Sequence, residues 1–160
     1  MTKGKIVLTE NQKRLIQRFG VSMERNGMSP AEARVLALLF VSSDTELTFE
    51  QIQETLKLSK SAISNAINKL LVTGHIEYIT LLGDRKRYFK PRIDTWEDKI
   101  KESLERIANQ NDLYKEILAS RPKSTRDFNQ NLEQIIDFMD FLHAEFQTAF
   151  KKWQARKTRN

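Results

Sequence analysis

The sequence has no cysteine, only five glycines and three prolines, and no long apolar run. Without cysteine, disulfide frameworks, thiolate zinc sites and cysteine nucleophiles are excluded, and the composition fits a reducing compartment. Few glycines and prolines argue against an all-β fold built on tight turns. No segment reaches the roughly 18 apolar residues that a membrane span needs, and the N-terminal residues lack the apolar core of a secretory signal. We therefore predict a cytoplasmic protein that has no membrane partner.

The positive charge of the chain is concentrated in one stretch. The 160 residues carry 27 Lys and Arg against 21 Asp and Glu, a net charge of +6. Residues 94–160 are balanced, and within 57–92 eight basic side chains face only Glu77 and Asp84, so that this stretch accounts for the whole surplus. A local basic excess is typical of a surface that binds a polyanion, although a solvated basic face has the same composition.

Two helices are predicted near the start of the chain. Apolar residues at spacings of three and four over 10–26 indicate an amphipathic helix, which Gly27 ends. Ser29 and Glu32 form the capping-box pattern that opens a second helix. The apolar run over 35–40 predicts that this second helix is largely buried.

A helix-turn-helix is predicted next. Thr48 and Gln51 form another capping box that opens a short helix, and after a tight turn Ser59 caps a helix over 60–73. In such a motif the second helix enters the major groove of DNA with its N-terminal end leading. The side chains opposite its apolar face are short polar groups and lysines, with no acid: Lys60, Ser61, Ser64, Asn65, Asn68 and Lys69. Groups of this kind bond base edges and phosphates.

A β-hairpin is predicted to follow this helix. Two β-like runs over 76–82 and 87–89 flank a short turn. Asp84 is the one acid in that turn, where it either caps the turn or orients an arginine. Three basic side chains project from the tip: Arg85, Lys86 and Arg87. We expect them to contact phosphates or the minor groove, and the alternative is a winged-helix scaffold that only docks a protein partner.

Two long helices are predicted at the end of the chain, over 95–120 and 125–156, with Pro122 between them. The second would span roughly 48 Å, which is too long for this small domain to cover. We therefore expect its apolar stripe to pair with a second copy of the chain. The stripe consists of Phe128, Leu132, Ile135, Met139, Leu142, Phe146, Phe150 and Trp153.

The predicted fold is mainly α, a winged helix-turn-helix with a three-helix core, a β-hairpin wing and long terminal dimerisation helices. We assign residues 1–28 to an N-terminal helix for packing and dimerisation, residues 29–93 to the DNA-binding winged helix-turn-helix, and residues 94–160 to two dimerisation helices. The predicted partners are double-stranded DNA and a second copy of the chain.

Three segments, 47–52, 58–67 and 83–89, resemble the winged-helix regulators of the MarR family. The Gly-x-Arg-Lys-x-x-Phe wing followed by Trp96 is most similar to the GbsR-type branch of that family. The resemblance covers about residues 15–120. It implies a homodimeric bacterial repressor or activator whose terminal helices form the dimer, with a ligand pocket near the junction. Of the two, we expect a repressor that responds to a small-molecule effector. The wing of the larger family often has a second acid, which this chain lacks.

Other signals do not indicate catalysis or metal binding. Asp137, Asp140 and His143 partly share a helix face, but an ordinary helix surface commonly carries such residues. No Gly-rich phosphate loop and no Ser/His/Asp arrangement is present, so we predict no enzyme activity, no metal and no cofactor. The aromatic side chains of the last two helices, Trp96 and Trp153 among them, either pack a core or form a cage for a cationic, choline-like effector.

Overall fold

The computed structural model describes residues 6–157. Residues 1–5 and 158–160 lie outside the described residues. They belong to the predicted N-terminal and C-terminal domains, and the prediction that the N-terminus is not a secretory signal also falls partly on residues 1–5. About 70% of the described residues are helical. The elements in chain order are α1 (Glu10–Arg25), α2 (Pro30–Val41), β1 (Leu47–Thr48), α3 (Phe49–Leu56), α4 (Lys60–Val72), β2 (Ile76–Thr80), β3 (Arg87–Pro91), α5 (Trp96–Ser120) and α6 (Arg126–Lys157).

The chain divides into two compact units, the first ending at Asp94 and the second starting at Thr95. In the first unit, α1 packs on α2, and α2 packs on α3, α4 and the central strand. The side chains at the centre of this core are almost fully buried: Val35, Leu38, Leu47, Ile52, Ile63, Leu70 and Ile76. The predicted winged helix-turn-helix fold is confirmed.

The sheet has three antiparallel strands in the order β1-β3-β2. The sequence patterns predicted the hairpin of β2 and β3 but not β1, whose two residues are too few to show alternation. Leu47 pairs with Phe89 and Thr48 pairs with Tyr88, so that β3 is the central strand. Strand β3 runs two residues further than predicted, to Pro91, which pairs with Ile76 beyond the reach of β1. A proline is tolerated there because only one neighbouring strand is present.

The predicted capping residues begin the helices of the motif. The Thr48 hydroxyl accepts a hydrogen bond from the backbone N–H of Gln51, and the Gln51 side chain accepts one from the backbone N–H of Thr48. At α2, the Ser29 hydroxyl accepts from the backbone of Glu32 but donates to the Glu32 carboxylate, at 2.7 Å. In a full capping box the Glu32 carboxylate would accept from the backbone N–H of Ser29, whereas here it accepts from the Ser29 hydroxyl. Helix α2 is largely buried, as predicted, but Phe40 at the end of its apolar run is 48% exposed.

Removing the cap of α3 is expected to lower the stability of the first unit. Thr48→Ala leaves the N–H of Gln51 without its hydroxyl acceptor in a buried setting, at a cost of about 1–2 kcal/mol in the free energy of unfolding. Urea denaturation followed by circular dichroism measures the loss. Thr48→Ser keeps the hydroxyl and should recover most of it, and Thr9→Ala at the exposed cap of α1 should cost less. A Thr48→Ala midpoint equal to that of the unchanged chain would contradict this role.

The second unit is a helical hairpin. Helices α5 and α6 run antiparallel, and an ion pair of 2.9 Å between Lys157 and Glu97 joins their distant ends. Between them, the buried Asn111 side chain donates to the backbone carbonyl of Ile136 and to the Asp140 carboxylate. Within the part of the chain that the structure describes, no helix is long and apolar enough to cross a membrane.

Helix α5 covers part of the apolar stripe of α6 within the chain. Leu132 is buried, and Met139, Phe146 and Phe150 are half-buried. The other four stripe residues remain exposed on this single chain: Phe128, Ile135, Leu142 and Trp153. The stripe is therefore divided between the hairpin's own packing and a surface open to a partner.

Candidate nucleic-acid interface

Helix α4 separates an apolar face from a polar face. Ile63, Ile67 and Leu70 are buried in the core of the first unit. The predicted DNA-contacting side chains of this helix lie on the other face, where Ser64 is half-buried and the rest are exposed: Lys60, Ser61, Asn65, Asn68 and Lys69. The core packing thus fixes which side of α4 is presented to solvent.

The start of α4 is fixed by the turn that precedes it. Lys57 adopts the left-handed conformation with φ of 53°, which no other non-glycine residue among the described ones does. Its backbone N–H still donates to the carbonyl of Gln53, and this bond closes α3. Two residues later the Ser59 hydroxyl accepts from the N–H of Ala62 at 3.2 Å and caps α4. The short turn and the cap together set the direction in which α4 leaves the core.

The wing tip is folded around one carboxylate. A turn brings the N–H of Asp84 to the carbonyl of Leu81 at 3.0 Å, and Gly83 within it has a φ of 83° that favours glycine. One carboxylate oxygen of Asp84 accepts from the N–H of Lys86 at 2.9 Å, and the other accepts from the Tyr88 hydroxyl at 2.7 Å. Asp84 therefore caps the turn, which is one of its two predicted roles, and its other partner is a tyrosine and not an arginine.

These two hydrogen bonds change the titration of both groups. The Tyr88 hydroxyl, followed by the N–H of Lys86, holds the pKa of Asp84 below its usual value. The Asp84 carboxylate in turn raises the pKa of Tyr88 above that of a free tyrosine. Asp84 is therefore ionised and Tyr88 protonated across the physiological range, the states in which this hydrogen bond forms.

The arginine at the start of β3 is held by an aromatic ring. The Arg87 guanidinium lies 4.6 Å from the ring centroid of Tyr78 on the neighbouring strand. The Tyr78 ring in turn packs edge-on against Phe89. Because a cation over an aromatic face is attracted to it, this stack restricts Arg87 to few orientations.

A cleft of about 350 Å³ lies between α4 and the wing. It brings together five of the nine predicted DNA-contacting side chains, two from the helix and three from the wing: Ser64, Asn68, Arg85, Lys86 and Arg87. The other four predicted side chains do not line it, but they are exposed on α4. Helix and wing therefore present polar and basic side chains to the same cleft.

Five residues that the sequence patterns did not single out for the site also line the cleft: Phe49, Glu50, Ile67, Leu71 and Phe89. Phe49 and Glu50 come from the first turn of α3, and Leu71 comes from the last turn of α4. Glu50 was recognisable only as part of the capping motif, where a carboxylate near a helix N-terminus interacts well with the helix dipole. Its charge lowers the positive potential at this end of the cleft.

Not all of the basic surplus between residues 57 and 92 reaches this surface. At the base of the wing, Lys90 pairs with Glu77 at 2.9 Å and Arg92 lies 3.8 Å from the same carboxylate. The hydrogen bond to Glu77 raises the pKa of Lys90. The basic side chains that remain for an anionic partner are those of α4 with its preceding turn and those of the wing tip: Lys57, Lys60, Lys69, Arg85, Lys86 and Arg87.

The second unit places the other candidate residues in ordinary packing roles. Asp140 accepts from Lys115 and Asn111, both at 2.9 Å. Among the described residues, no group of three His, Cys, Asp or Glu is placed to hold a metal ion. Of the aromatic side chains, Trp96 packs edge-on against Trp153 with centroids 6.0 Å apart.

Comparison with known proteins finds similarity to winged-helix regulators, the class that the fold also indicates. Residues 26–87 match the family model of the MarR family. The chain is 21% identical over 141 residues to the HTH-type transcriptional regulator MmpR5 of Mycobacterium tuberculosis, covering 88% of this chain and 86% of that protein. A crystal structure of a transcriptional regulator is similar with a TM-score of 0.66 and 20% identity, covering 91% of this chain and 99% of the other.

The fold, the polar and basic cleft and the family match together define a winged-helix DNA-binding protein. Over residues 26–87, which hold the helix-turn-helix and the wing, the chain is similar to the MarR family of winged-helix regulators. Regulators of this class are generally not enzymes.

Proposed function

We propose that the chain binds double-stranded DNA as a homodimer and represses transcription, with α4 in the major groove and the wing tip on the adjacent backbone. The observation that carries this proposal is the cleft in which Ser64 and Asn68 of α4 face the three basic residues of the wing tip. Amides and hydroxyls read base edges, whereas Arg and Lys fix the protein on phosphates. The neighbouring Lys60, Ser61, Asn65 and Lys69 extend the same contact along the helix.

A second copy is proposed to pair through the helical hairpin, together with residues 1–28. Exposed apolar side chains on both hairpin helices support this, among them Ile107, Ile117 and Phe141. Where such side chains lie together, an exposed apolar patch is typical of a surface that binds another protein. In such a dimer the two α4 helices would read half-sites about 34–36 Å apart on a pseudo-palindromic operator.

Salt-dependent DNA binding by a dimer is the expected result of the direct test. Labelled duplex DNA is titrated with the chain at several salt concentrations, and operator sequences are selected from a random duplex library. Affinity should fall steeply with salt because phosphate contacts release counterions, and the selected sequences should show two-fold symmetry. Light scattering should give a mass twice 18.7 kDa at micromolar concentration. Affinity that ignores salt, or a monomer under these conditions, would overturn the proposal and favour a scaffold for a protein partner.

A GbsR-type branch and a cationic effector are the finer parts of the proposal. The wing from Gly83 to Phe89 and the position of Trp96 support the branch. A second cleft of about 400 Å³ lies in the first unit. It is lined by Phe40, by the acids Asp44, Glu77 and Asp94, and by one base, Lys90, so that its charged groups are acidic on balance and suit an organic cation. Adding choline to the DNA titration tests this, and an unchanged operator affinity at millimolar choline would remove choline as the effector.

A further inference from the structure

The buried hydroxyl of Tyr88 has a role that the contact surface alone does not explain. Tyr88 lies in the central strand, paired with Thr48 on one side and Ile79 on the other, and only 4% of it is exposed. It cannot itself reach a DNA partner. Its hydroxyl nevertheless donates a hydrogen bond of 2.7 Å to Asp84, four residues away at the wing tip.

Asp84 connects this strand to the tip backbone. Ladder pairing of the two wing strands ends at Thr80 and Arg87, so the six residues between them depend on other bonds. The Asp84 carboxylate uses one oxygen for Tyr88 and the other for the N–H of Lys86. A rigid, buried ring thus determines where the tip backbone lies.

The charge of Asp84 and the geometry that Asp84 imposes on the wing tip should affect DNA binding in opposite directions. A carboxylate between basic residues on a DNA-binding surface repels phosphate and should weaken binding by its charge alone. Its presence is favourable only if the geometry that it imposes on the tip outweighs that repulsion. The two effects have opposite signs when the charge is removed, so they can be separated by experiment.

We propose that Tyr88 is a positioning residue for DNA binding: through Asp84 it holds the wing tip in the form that presents Arg85 and Lys86 to the phosphate backbone. The inference rests on the proposed function. The same strand residue pairs with Thr48, which caps α3, so the wing tip and the helix-turn-helix are positioned by one residue of the sheet.

The test compares Tyr88→Phe and Asp84→Asn with Glu50→Gln, which removes one negative charge from the cleft beside the wing tip without touching this hydrogen bond. Tyr88→Phe should bind duplex DNA about three- to tenfold more weakly, the value of one net hydrogen bond. Asp84→Asn should also bind more weakly, although it makes the tip more positive. Glu50→Gln should bind more tightly than the unchanged chain, because the Glu50 charge lowers the positive potential of the cleft. The double variant should be no weaker than the weaker single variant, because both changes break the same bond.

Two further measurements separate positioning from a general loss of stability. The slope of log affinity against log salt should become shallower by about one phosphate contact in Tyr88→Phe and Asp84→Asn, at temperatures where both variants are folded. Asp84→Asn should also lower the pKa of Tyr88 toward that of a free tyrosine, because it removes the carboxylate that raises this pKa. Ultraviolet absorbance of the tyrosinate measures the change.

Three results would each overturn the inference. They are binding by Tyr88→Phe within twofold of the unchanged chain, tighter binding by Asp84→Asn, and a salt slope that stays unchanged in these variants. If Tyr88→Phe does not fold, Asp84→Asn still decides, since its side chain is at the surface of the tip. Failure of the proposed function is a different result, because the unchanged chain would then not bind DNA at all.

Discussion

Replacing Arg85 and Arg87 together by alanine is expected to weaken binding to duplex DNA by about 30- to 100-fold near physiological salt, through the loss of two phosphate contacts. Both side chains line the cleft beside α4, and Arg87 is held over the ring of Tyr78 before any ligand arrives. Because a side chain that is already ordered loses little entropy on binding, Arg87 should contribute more than a free surface arginine. The salt slope should fall by about two contacts.

The matched control removes the same charge elsewhere. Lys151 and Lys152 are exposed on α6, so Lys151→Ala with Lys152→Ala lowers the net charge by the same amount without touching the cleft. If affinity depended only on the overall field of the chain, the two double variants would weaken binding equally. That result would contradict a specific role for the wing tip. Fluorescence anisotropy with one duplex at several salt concentrations distinguishes the two cases.

The helices of the winged helix-turn-helix could be predicted closely because their ends are marked by local chemistry. Thr48 and Ser59 each act within a few residues of sequence. The structure begins α3 directly after Thr48 and α4 directly after Ser59, and it ends α4 at Val72, one residue before the predicted end. Strand β1 could not be predicted, since two residues become a strand only when the central strand lies beside them. Phe40 shows the same limit, because an apolar residue in a buried helix can still lie on its outer face.

The residues of the wing tip could be predicted from the sequence, but the contacts between their side chains could not. The sequence identifies Arg85 and Lys86 as tip residues because they follow a turn, and it leaves the partner of Asp84 open. The bond from the Tyr88 hydroxyl to Asp84 depends on how the turn at 81–84 folds back toward β3, which sequence spacing does not show. Stacking of Arg87 on Tyr78 likewise depends on strand pairing across nine residues of sequence.

The apolar stripe of α6 shows what a helical period cannot decide. A period of three and four residues predicts that one face is covered, but it does not say whether the cover is another helix of the same chain or a second chain. Here α5 buries Leu132, while Ile135 and Leu142 stay exposed. Dimerisation through the exposed part stays a prediction, and the mass in solution tests it.

Asn65→Asp is expected to weaken binding to operator DNA by about 30-fold or more, since like charges facing each other across an interface cost several kcal/mol. The change keeps the size and shape of the side chain, and Asn65 is exposed on α4, so the core of the helix-turn-helix is left intact. It replaces an amide, which can both donate to and accept from a base edge, by a carboxylate that only accepts and repels phosphate.

The same substitution at Asn131, exposed on α6, is the matched control and should leave affinity within twofold. Asn65→Ala separates the two parts of the effect. It removes the hydrogen bonds without adding charge, so it should cost about 1–3 kcal/mol and relax the sequence preference at the base that Asn65 reads. Equal affinities for Asn65→Asp and Asn131→Asp would mean that this face of α4 does not meet the DNA. Equal losses for Asn65→Ala and Asn65→Asp would mean that Asn65 reads a base at a distance from the phosphates, since the added charge would then have no partner to repel.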